Sequence, residues 1–345
     1  MAMARAGQTG FRQPGEWSAH RACWLAFPSD PQLWPELAQV QASFLSMCRG
    51  IAAAPLTAGG LPAEQLEVLV NDEAAEAAAR ALLTDLPAQF HRVRFGDIWM
   101  RDIAPVFLRD ARGALGSVRF RFNGWGGKYS YPGDERVAEE VQARVRAEHF
   151  ASSLVLEGGG VESDGEGLCL TTRDVALNPN RNPGRSEREV AHEIEEALGA
   201  ERVIFLAHGL LNDHTDGHID NIARFIGPGR VACMHAAAQD PNREVLVEIE
   251  RELRAAGLEV ASIPSPGLVA GRDGRPLPAS YLNFYIANHA LVVPVFGADN
   301  DQAALEALGA LFPGRALHAV QAKVLLEEGG TVHCISQQEP LGGTP

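Results

Sequence analysis

Apolar residues recur at three- and four-residue spacing in six segments of the chain, with charged residues between them. This spacing is typical of amphipathic helices packed against a core. The six segments span residues 35–54, 73–86, 135–150, 186–200, 242–257 and 300–312. The fourth opens with Ser186 and carries Glu189 three residues later, which predicts a capping box at the start of that helix.

Short runs rich in β-branched and aromatic residues lie between these segments and predict strands. They are CWLAF, LEVLV, HRVRF, SVRFRF, SLVLE, LCLTT, RVIFL, IARFI, RVACM, YLNFYIA, ALVVPVF and TVHCIS. Two pairs of runs predict hairpins, one around Gly227-Pro228-Gly229 and one with Asp164-Gly165 at its tip. Helices and strand groups alternate without a Pro/Ser-rich linker, so we predict one α/β domain over residues 1–345, built from β-rich units with one helix each.

Composition narrows the class of protein. A chain of 345 residues can bury a large core without disulfides or metals. The formal net charge of −14 argues against a general nucleic-acid binder and slightly favours a cationic substrate. Five cysteines without a CxxC pair suggest a reducing compartment. Residues 1–17 contain no apolar signal segment and no run approaches the ~20 residues of a membrane span, so we expect a cytoplasmic protein.

The stretch LLNDHTDGHIDN, residues 210–221, has the densest set of ionisable side chains. On a helix, His214 and His218 would share a face, as paired zinc ligands do. On a strand, His218 and Asp220 would share a face instead. The β-rich run and the Gly-Pro-Gly turn that follow favour the strand, with His214 in the preceding loop. Considered alone, the stretch is more typical of a solvated loop.

Four further segments carry candidate chemistry. They are GDIWMRDIAPVF (96–107), FNGWGGKY (122–129), LEGGGVES (156–163) and EEGGTVHCISQQEP (327–340). Each also has a purely structural interpretation. Trp99 and Trp125 could be core aromatics, Gly158 to Gly160 a plain turn, and Cys334 a small buried residue.

Together with PGEWSAHRACWLAFP (14–28) and LNPNRNP (177–183), these segments resemble the agmatine deiminase family over nearly the full length. This family, also called the Porphyromonas-type peptidyl-arginine deiminase family, belongs to the guanidino-group modifying superfamily. The resemblance implies a five-bladed, pseudo-symmetric α/β propeller, or pentein, of ββαβ-type units with the active site at its centre.

The resemblance also implies roles for individual residues. Cys334 would be the nucleophile and His218 the general acid/base, oriented by Glu157. Asp102 and Asp220 would hold the guanidinium. Residues expected to contact substrate are Trp99, Arg101, Trp125, Asp213 and Asp216.

A thiol nucleophile and two carboxylates suit a guanidinium, which is planar, cationic and a poor electrophile. We therefore expect hydrolysis of agmatine to N-carbamoylputrescine and ammonia through a covalent thiouronium, in putrescine and polyamine metabolism, without metal or other cofactor. Peptidyl-arginine or another alkylguanidine is the alternative substrate. An amidinotransferase, a non-catalytic binding protein and a metal-dependent hydrolase that uses His214, His218 and Asp220 are further alternatives.

Partners other than a small cationic guanidino compound are not expected, neither nucleic acid nor membrane. A homo-oligomer is left open. His214 departs from the family pattern, because many members have an acidic residue directly after the position of Asp213. Since a distal amine needs a carboxylate or a wet polar site, we expect the loop 212–216 to influence substrate choice.

Overall fold

Five small β-sheets, each flanked by helices, make up the described part of the computed structural model, which is residues 5–54, 60–236 and 239–342. The predicted domain and the predicted absence of a signal segment also involve residues outside these ranges, among them 1–4. Within the described ranges, no helix is long and apolar enough to cross a membrane.

The strands are numbered in chain order. They are β1 (His20–Ala26), β2 (Gln65–Val70), β3 (Ala88–Arg92), β4 (Val106–Arg109), β5 (Leu115–Arg121), β6 (Glu148–Val155), β7 (Glu162–Ser163), β8 (Leu168–Thr172), β9 (Arg202–Leu206), β10 (Ala223–Gly227), β11 (Arg230–His235), β12 (Glu259–Pro264), β13 (Tyr285–Ile286), β14 (Ala290–Val295), β15 (Ala316–Gln321) and β16 (Gln337–Pro340).

The helices are α1 (Leu37–Ile51), α2 (Glu73–Leu82), α3 (Met100–Ile103), α4 (Gly124–Gly127), α5 (Asp134–Gln142), α6 (Arg173–Ala176), α7 (Glu187–Leu198), α8 (Arg243–Ala255), α9 (Asp301–Leu311) and α10 (Lys323–Leu326). In the described residues, single 3₁₀ turns cover Gly7–Thr9, Gly158–Gly160 and Ile219–Asn221.

One ββαβ pattern repeats around the molecule. In each unit two antiparallel strands lead into a helix, and a third strand then pairs in parallel with the second. Units of this kind are β4–β6, β7–β9, β10–β12 and β13–β15. The fifth is completed by the two ends of the chain, because β16 pairs antiparallel with β1 while β2 and β3 follow in parallel. This is the predicted five-bladed α/β propeller.

The six predicted helices are confirmed, with shorter bounds. The segment 135–150 was too long, because the helix ends at Gln142 and β6 begins at Glu148. The capping box is confirmed, since Ser186 accepts from the backbone of Glu189 and the Glu189 side chain accepts from that of Ser186. Apolar helix faces pack on the sheets in three clusters of buried side chains.

Both predicted hairpins are present, as β10–β11 and β7–β8. HRVRF is a strand only at His91–Arg92 and YLNFYIA only at Tyr285–Ile286. Two strand predictions were wrong, because TVHCIS forms a turn and the segment 219–221 is a 3₁₀ turn. Their side chains are buried at the centre of the molecule, and a buried turn excludes water as a strand does. A run of apolar residues therefore does not distinguish the two.

These turns position the candidate site. In every unit a short turn immediately precedes the first strand: α3 before β4, and 158–160, 219–221, 281–284 and 331–336 before the strands that follow them. Side chains and backbone from all five turns are in contact with one another, as described below. The five-fold closure therefore brings distant segments to one place.

Candidate active site

A pocket opens beside the two turns that carry Asp102 and Cys334. Its base includes the buried Asp102 and Cys334, and its mouth includes the partly exposed Tyr129 and Glu328. The lining residues are Trp99, Asp102, Trp125, Tyr129, Tyr131, His214, Thr215, Glu328, Gly329 and Cys334. Its aromatic wall and polar base are typical of a small-molecule site.

Cys334 lies in the turn before β16 and is 4% exposed. Asn283 Nδ2 donates to its sulfur at 3.2 Å, and Asp220 Oδ2 lies 4.0 Å from it. Burial, together with the carboxylates of Asp220 and Asp102, raises the pKa of the Cys334 thiol well above its usual value. The thiol form is therefore favoured over the thiolate.

Asp102 is presented by the single turn of α3. Its Oδ2 accepts from Trp125 Nε1 at 2.8 Å and its Oδ1 from the backbone of Gly159 at 3.1 Å. Burial raises the pKa of Asp102 to about 6, against the opposing effect of the nearby His218. A buried carboxylate has lost hydration, so a cation that binds it in place of water stabilises its ionised form.

The backbone that presents Trp125 has an uncommon conformation. Trp125 has a φ of 54° between glycines that also have positive φ, from Gly124 to Gly127. Asn123 holds this turn by accepting from the backbone of Gly126 at 2.8 Å. A bulky residue in the left-handed region is unusual, and such strain concentrates at functional sites. Here the conformation aims the indole N–H at Asp102.

His218 is fully buried beside two carboxylates. Its Nε2 lies 3.4 Å from Glu157 Oε2, and its Nδ1 lies 3.8 Å from Asp102 Oδ1. Burial lowers the pKa of His218, but the negative charges of Asp102 and Glu157 outweigh it and raise the pKa to about 9. Arg181 Nε donates to both Glu157 oxygens at 2.9–3.0 Å. The imidazole is therefore held protonated at neutral pH.

Asp220 is fully buried and is held from behind by a second histidine. Its Oδ2 lies 2.7 Å from His333 Nδ1, and His333 Nε2 lies 2.9 Å from Glu16 Oε2. Burial opposes ionisation of Asp220, but the hydrogen bond and charge of His333 lower its pKa below the usual value. Within the described residues Asp220 Oδ1 has no hydrogen-bond partner. An acceptor is therefore left for a ligand.

The backbone of Gly159 shows how closely these groups approach one another. A Cβ built on Gly159 would lie 2.6 Å from His218 Nδ1, 3.0 Å from Asp102 Oδ1 and 3.1 Å from Asp220 Oδ2. One imidazole and two carboxylates thus surround a single point next to the glycine. Only a residue without a side chain leaves that point open.

Comparisons with known proteins identify the family to which this chain belongs. The model of the Porphyromonas-type peptidyl-arginine deiminase family matches residues 12–340. The chain belongs to this family. It is 33% identical to the agmatine deiminase of Stutzerimonas stutzeri, over 96% of each chain.

Solved structures of family members have the same fold. The agmatine deiminase of Enterococcus faecalis superposes with a TM-score of 0.90 at 28% identity, over 99% of each chain. A cysteine-to-serine form of the C. jejuni agmatine deiminase, solved with substrate bound, superposes with a TM-score of 0.87 at 25% identity, over 97% of each chain.

Not every residue expected from the peptidyl-arginine deiminase resemblance reaches the pocket. The predicted site residues that line it are Trp99, Asp102, Trp125 and Cys334, and those that do not are Arg101, Glu157, Asp213, Asp216, His218 and Asp220. Arg101 is buried, and its Nε points toward the His333 carbonyl at 3.4 Å. Substrate contact by Arg101, Asp213 and Asp216 stays a prediction, and in the structure these side chains lie outside the pocket lining.

The two acids of the loop 212–216 are occupied by protein groups. Asp213 Oδ1 accepts from the backbone and the hydroxyl of Thr215 at 2.8 and 2.6 Å. Asp216 pairs with Lys128 and, at 2.6 Å, with Arg181 Nη1. Burial opposes the effect of these partners, yet they lower the pKa of Asp216. Both acids shape the loop, and neither of them lines the pocket.

The alternative of a His214–His218 metal pair does not fit the geometry of this family member. His214 is exposed at the mouth, where its Nδ1 lies 2.7 Å from the Tyr129 hydroxyl. His218 is buried against Glu157 at the base. In the described ranges no group of three or more His, Cys, Asp or Glu side chains is arranged to hold a metal ion.

Several residues of the site were missed from the sequence. Asn283 contacts the thiol, His333 holds Asp220, and Tyr131 and Glu328 line the mouth. The repeat offered one signal for Asn283, because it occupies the turn before β13, equivalent to the four other site turns. Nothing in the local pattern around Glu328 predicted that it faces the pocket.

Proposed function

We propose that this chain is an agmatine deiminase, which hydrolyses agmatine to N-carbamoylputrescine and ammonia and so serves putrescine biosynthesis. The observation that carries the proposal is the convergence of Asp102, Asp220 and His218 beside Gly159, next to the thiol of Cys334. Because the site uses turns from all five units, we further propose that the chain acts as one catalytic domain.

A guanidinium fits the charges of this base. It is planar and presents N–H edges that two carboxylates can accept. Asp102 and Asp220 are buried, so the cation replaces water that both have lost, and binding fixes its plane for attack on the central carbon. The indole of Trp125 already occupies one lone pair of Asp102, which limits the orientations open to the ligand.

Binding of the guanidinium also activates the nucleophile. Burial and two carboxylates raise the Cys334 pKa, and these two carboxylates are the ones that the substrate cation neutralises. Substrate therefore lowers the thiol pKa in the complex, and the thiol proton leaves to solvent. The thiolate forms in the presence of its electrophile, which protects it from other reagents in the free protein.

The proposed reaction balances in two halves. Cys334 Sγ bonds to the guanidino carbon and gives a neutral tetrahedral adduct. Protonated His218 donates its proton to one amino group, the C–N bond breaks and ammonia leaves, so that an S-alkylthiouronium cation remains. The now neutral His218 takes a proton from water as the oxygen bonds to the same carbon. The C–S bond then breaks, which releases the ureido product and a proton and restores the thiolate.

The lining of the pocket favours agmatine over free arginine. An α-carboxylate would call for a cationic partner, and none of the ten lining residues is Lys or Arg. The mouth instead presents the carboxylate of Glu328. This arrangement suits a substrate that is cationic at both ends.

The test is a side-by-side assay of ammonia and ureido product from agmatine, arginine and a blocked arginine peptide, with and without EDTA. We expect turnover of agmatine, undiminished by EDTA. If only the peptide were turned over, peptidyl-arginine and not agmatine would be the substrate. Inhibition by EDTA would contradict the metal-free mechanism.

The Cys334→Ala variant should lose turnover by at least about a thousandfold, because the proposed covalent intermediate forms on this thiol. A small side chain at this buried turn position should leave the circular dichroism spectrum unchanged. If the folded variant retained normal activity, the thiol mechanism would be wrong.

A further inference from the structure

Carboxylates lie at both ends of the pocket. Among its ten lining residues only Asp102 and Glu328 carry one, Asp102 buried at the base and Glu328 partly exposed at the mouth. We infer that Glu328 binds the distal ammonium of agmatine and thereby sets which guanidines the chain accepts, an inference that rests on the proposed function.

The partner that Glu328 already has is weakly bound. Arg272 Nη1 donates to Glu328 Oε1 at 3.0 Å, and Arg272 Nη2 also lies 3.5 Å from Glu36. The Arg272 side chain is 47% exposed and that of Glu328 is 27% exposed. An exposed ion pair contributes little to stability. An ammonium inside the pocket, shielded from solvent, can therefore compete for Glu328.

Other acids near the mouth are already engaged. Asp213 accepts hydrogen bonds from Thr215, and Asp216 pairs with Lys128 and Arg181. Moving either acid toward the pocket would leave its protein partner without a hydrogen bond or counter-charge. Within the described chain, Glu328 is thus the acid at the mouth that can turn to a ligand at the smallest cost.

The walls between the two acids suit the tail of agmatine. Tyr129 and Tyr131 stack with centroids 6.1 Å apart and planes 8° from parallel. With Trp99 and Trp125 they give the pocket an apolar, electron-rich wall. Methylene groups pack favourably on such rings, and a cation near their faces is attracted to them.

The experiment compares agmatine with n-pentylguanidine, in which a methyl group replaces the ammonium, on wild type and Glu328→Gln. A lost hydrogen bond between charged groups corresponds to a fold-change of about 10 to 100. We expect KM for agmatine to rise by that factor with kcat nearly unchanged, and both constants for n-pentylguanidine to stay within about twofold.

The matched control is Glu327→Gln. This neighbour removes the same charge but accepts from the backbone of Arg272 at 3.2 Å and does not line the pocket. Glu327→Gln should leave kcat and KM unchanged for both substrates. If Glu327→Gln raised KM for agmatine as much as Glu328→Gln, a diffuse surface charge would explain the effect and the inference would fail.

Arg272→Gln separates a direct role of Glu328 from a role through its partner. If Glu328 binds the ammonium, removing the competing guanidinium lowers KM for agmatine or leaves it unchanged. A rise like that of Glu328→Gln would overturn the inference. Wild-type protein that turned over n-pentylguanidine but not agmatine would refute the proposed function and this inference, whereas equal losses for both substrates in Glu328→Gln refute only the inference.

Discussion

The open point beside Gly159 leads to a quantitative prediction for Gly159→Ala. The added methyl group would lie 2.6 Å from His218 Nδ1, whereas ordinary contacts begin at about 3.5 Å. The ring would have to move by about 0.9 Å, because the backbone of the turn is held between buried groups. Misplacement of a catalytic group by ~1 Å can cost a hundredfold in rate. We therefore expect kcat/KM for agmatine to fall by at least about a hundredfold.

The assay needs a control for the mutation itself. Gly160→Ala adds the same methyl group one residue later, where it meets Val175 Cγ1 at 3.2 Å and Leu156 Cδ1 at 3.4 Å and lies at an ordinary contact distance of 3.8 Å from His218 Cδ2. Neither glycine has a left-handed φ, so alanine is allowed at both positions. Overpacking should lower the free energy of unfolding by about 1–3 kcal/mol at Gly159 and by no more than that at Gly160.

Kinetics of ammonia release, with urea unfolding of both variants, measure the two effects separately. Gly160→Ala should keep activity within about threefold of wild type despite its stability loss. If folded Gly159→Ala kept the kcat/KM of wild type, the space beside Gly159 would not be needed by the reacting groups, and the reasoning would be refuted. Equal losses in both variants would assign the effect to the turn as a whole.

Two further predictions concern charge. Asp102 must be ionised to bind a guanidinium, so kcat/KM should fall as the pH decreases through about 6. His218 must be protonated to release ammonia, so kcat/KM should also fall as the pH rises through about 9. A pH–rate profile that is flat from about pH 5 to about pH 10 would contradict both assignments. His333→Gln leaves two buried carboxylates without their shared partner and should lower the free energy of unfolding by about 3–5 kcal/mol in urea titration. The exposed His192→Gln should not change it measurably, and equal stabilities would show that the buried contact contributes nothing.

Local patterns in the sequence predicted the elements that face water on one side. The six helices and the two hairpins were found because one face is apolar and the other charged, or because glycines mark a turn. The cap at Ser186 was equally local, since its partner Glu189 lies three residues away. Such signals need no knowledge of the rest of the fold.

The same patterns failed where both sides of a segment are buried. The turn that carries Cys334 and the 3₁₀ turn that carries Asp220 were predicted as strands, because their apolar neighbours face the centre of the molecule. The family resemblance nevertheless implied roles for Cys334, His218, Asp102, Asp220 and Glu157. These roles stay predictions, and the structure brings the five residues close together.

Sequence alone therefore determined the residue types, the order of the elements and the family chemistry of this chain. Tertiary structure decided which side chains meet. Pairing of β1 with β16 closes the ring and brings five turns to one centre, where Asn283 reaches the thiol and Glu328 the mouth. Tertiary structure also decided that Asp213 and Asp216 face protein partners. The reason is physical: burial and neighbouring charge set what an acid or a thiol can do, and both come from residues far away in the chain.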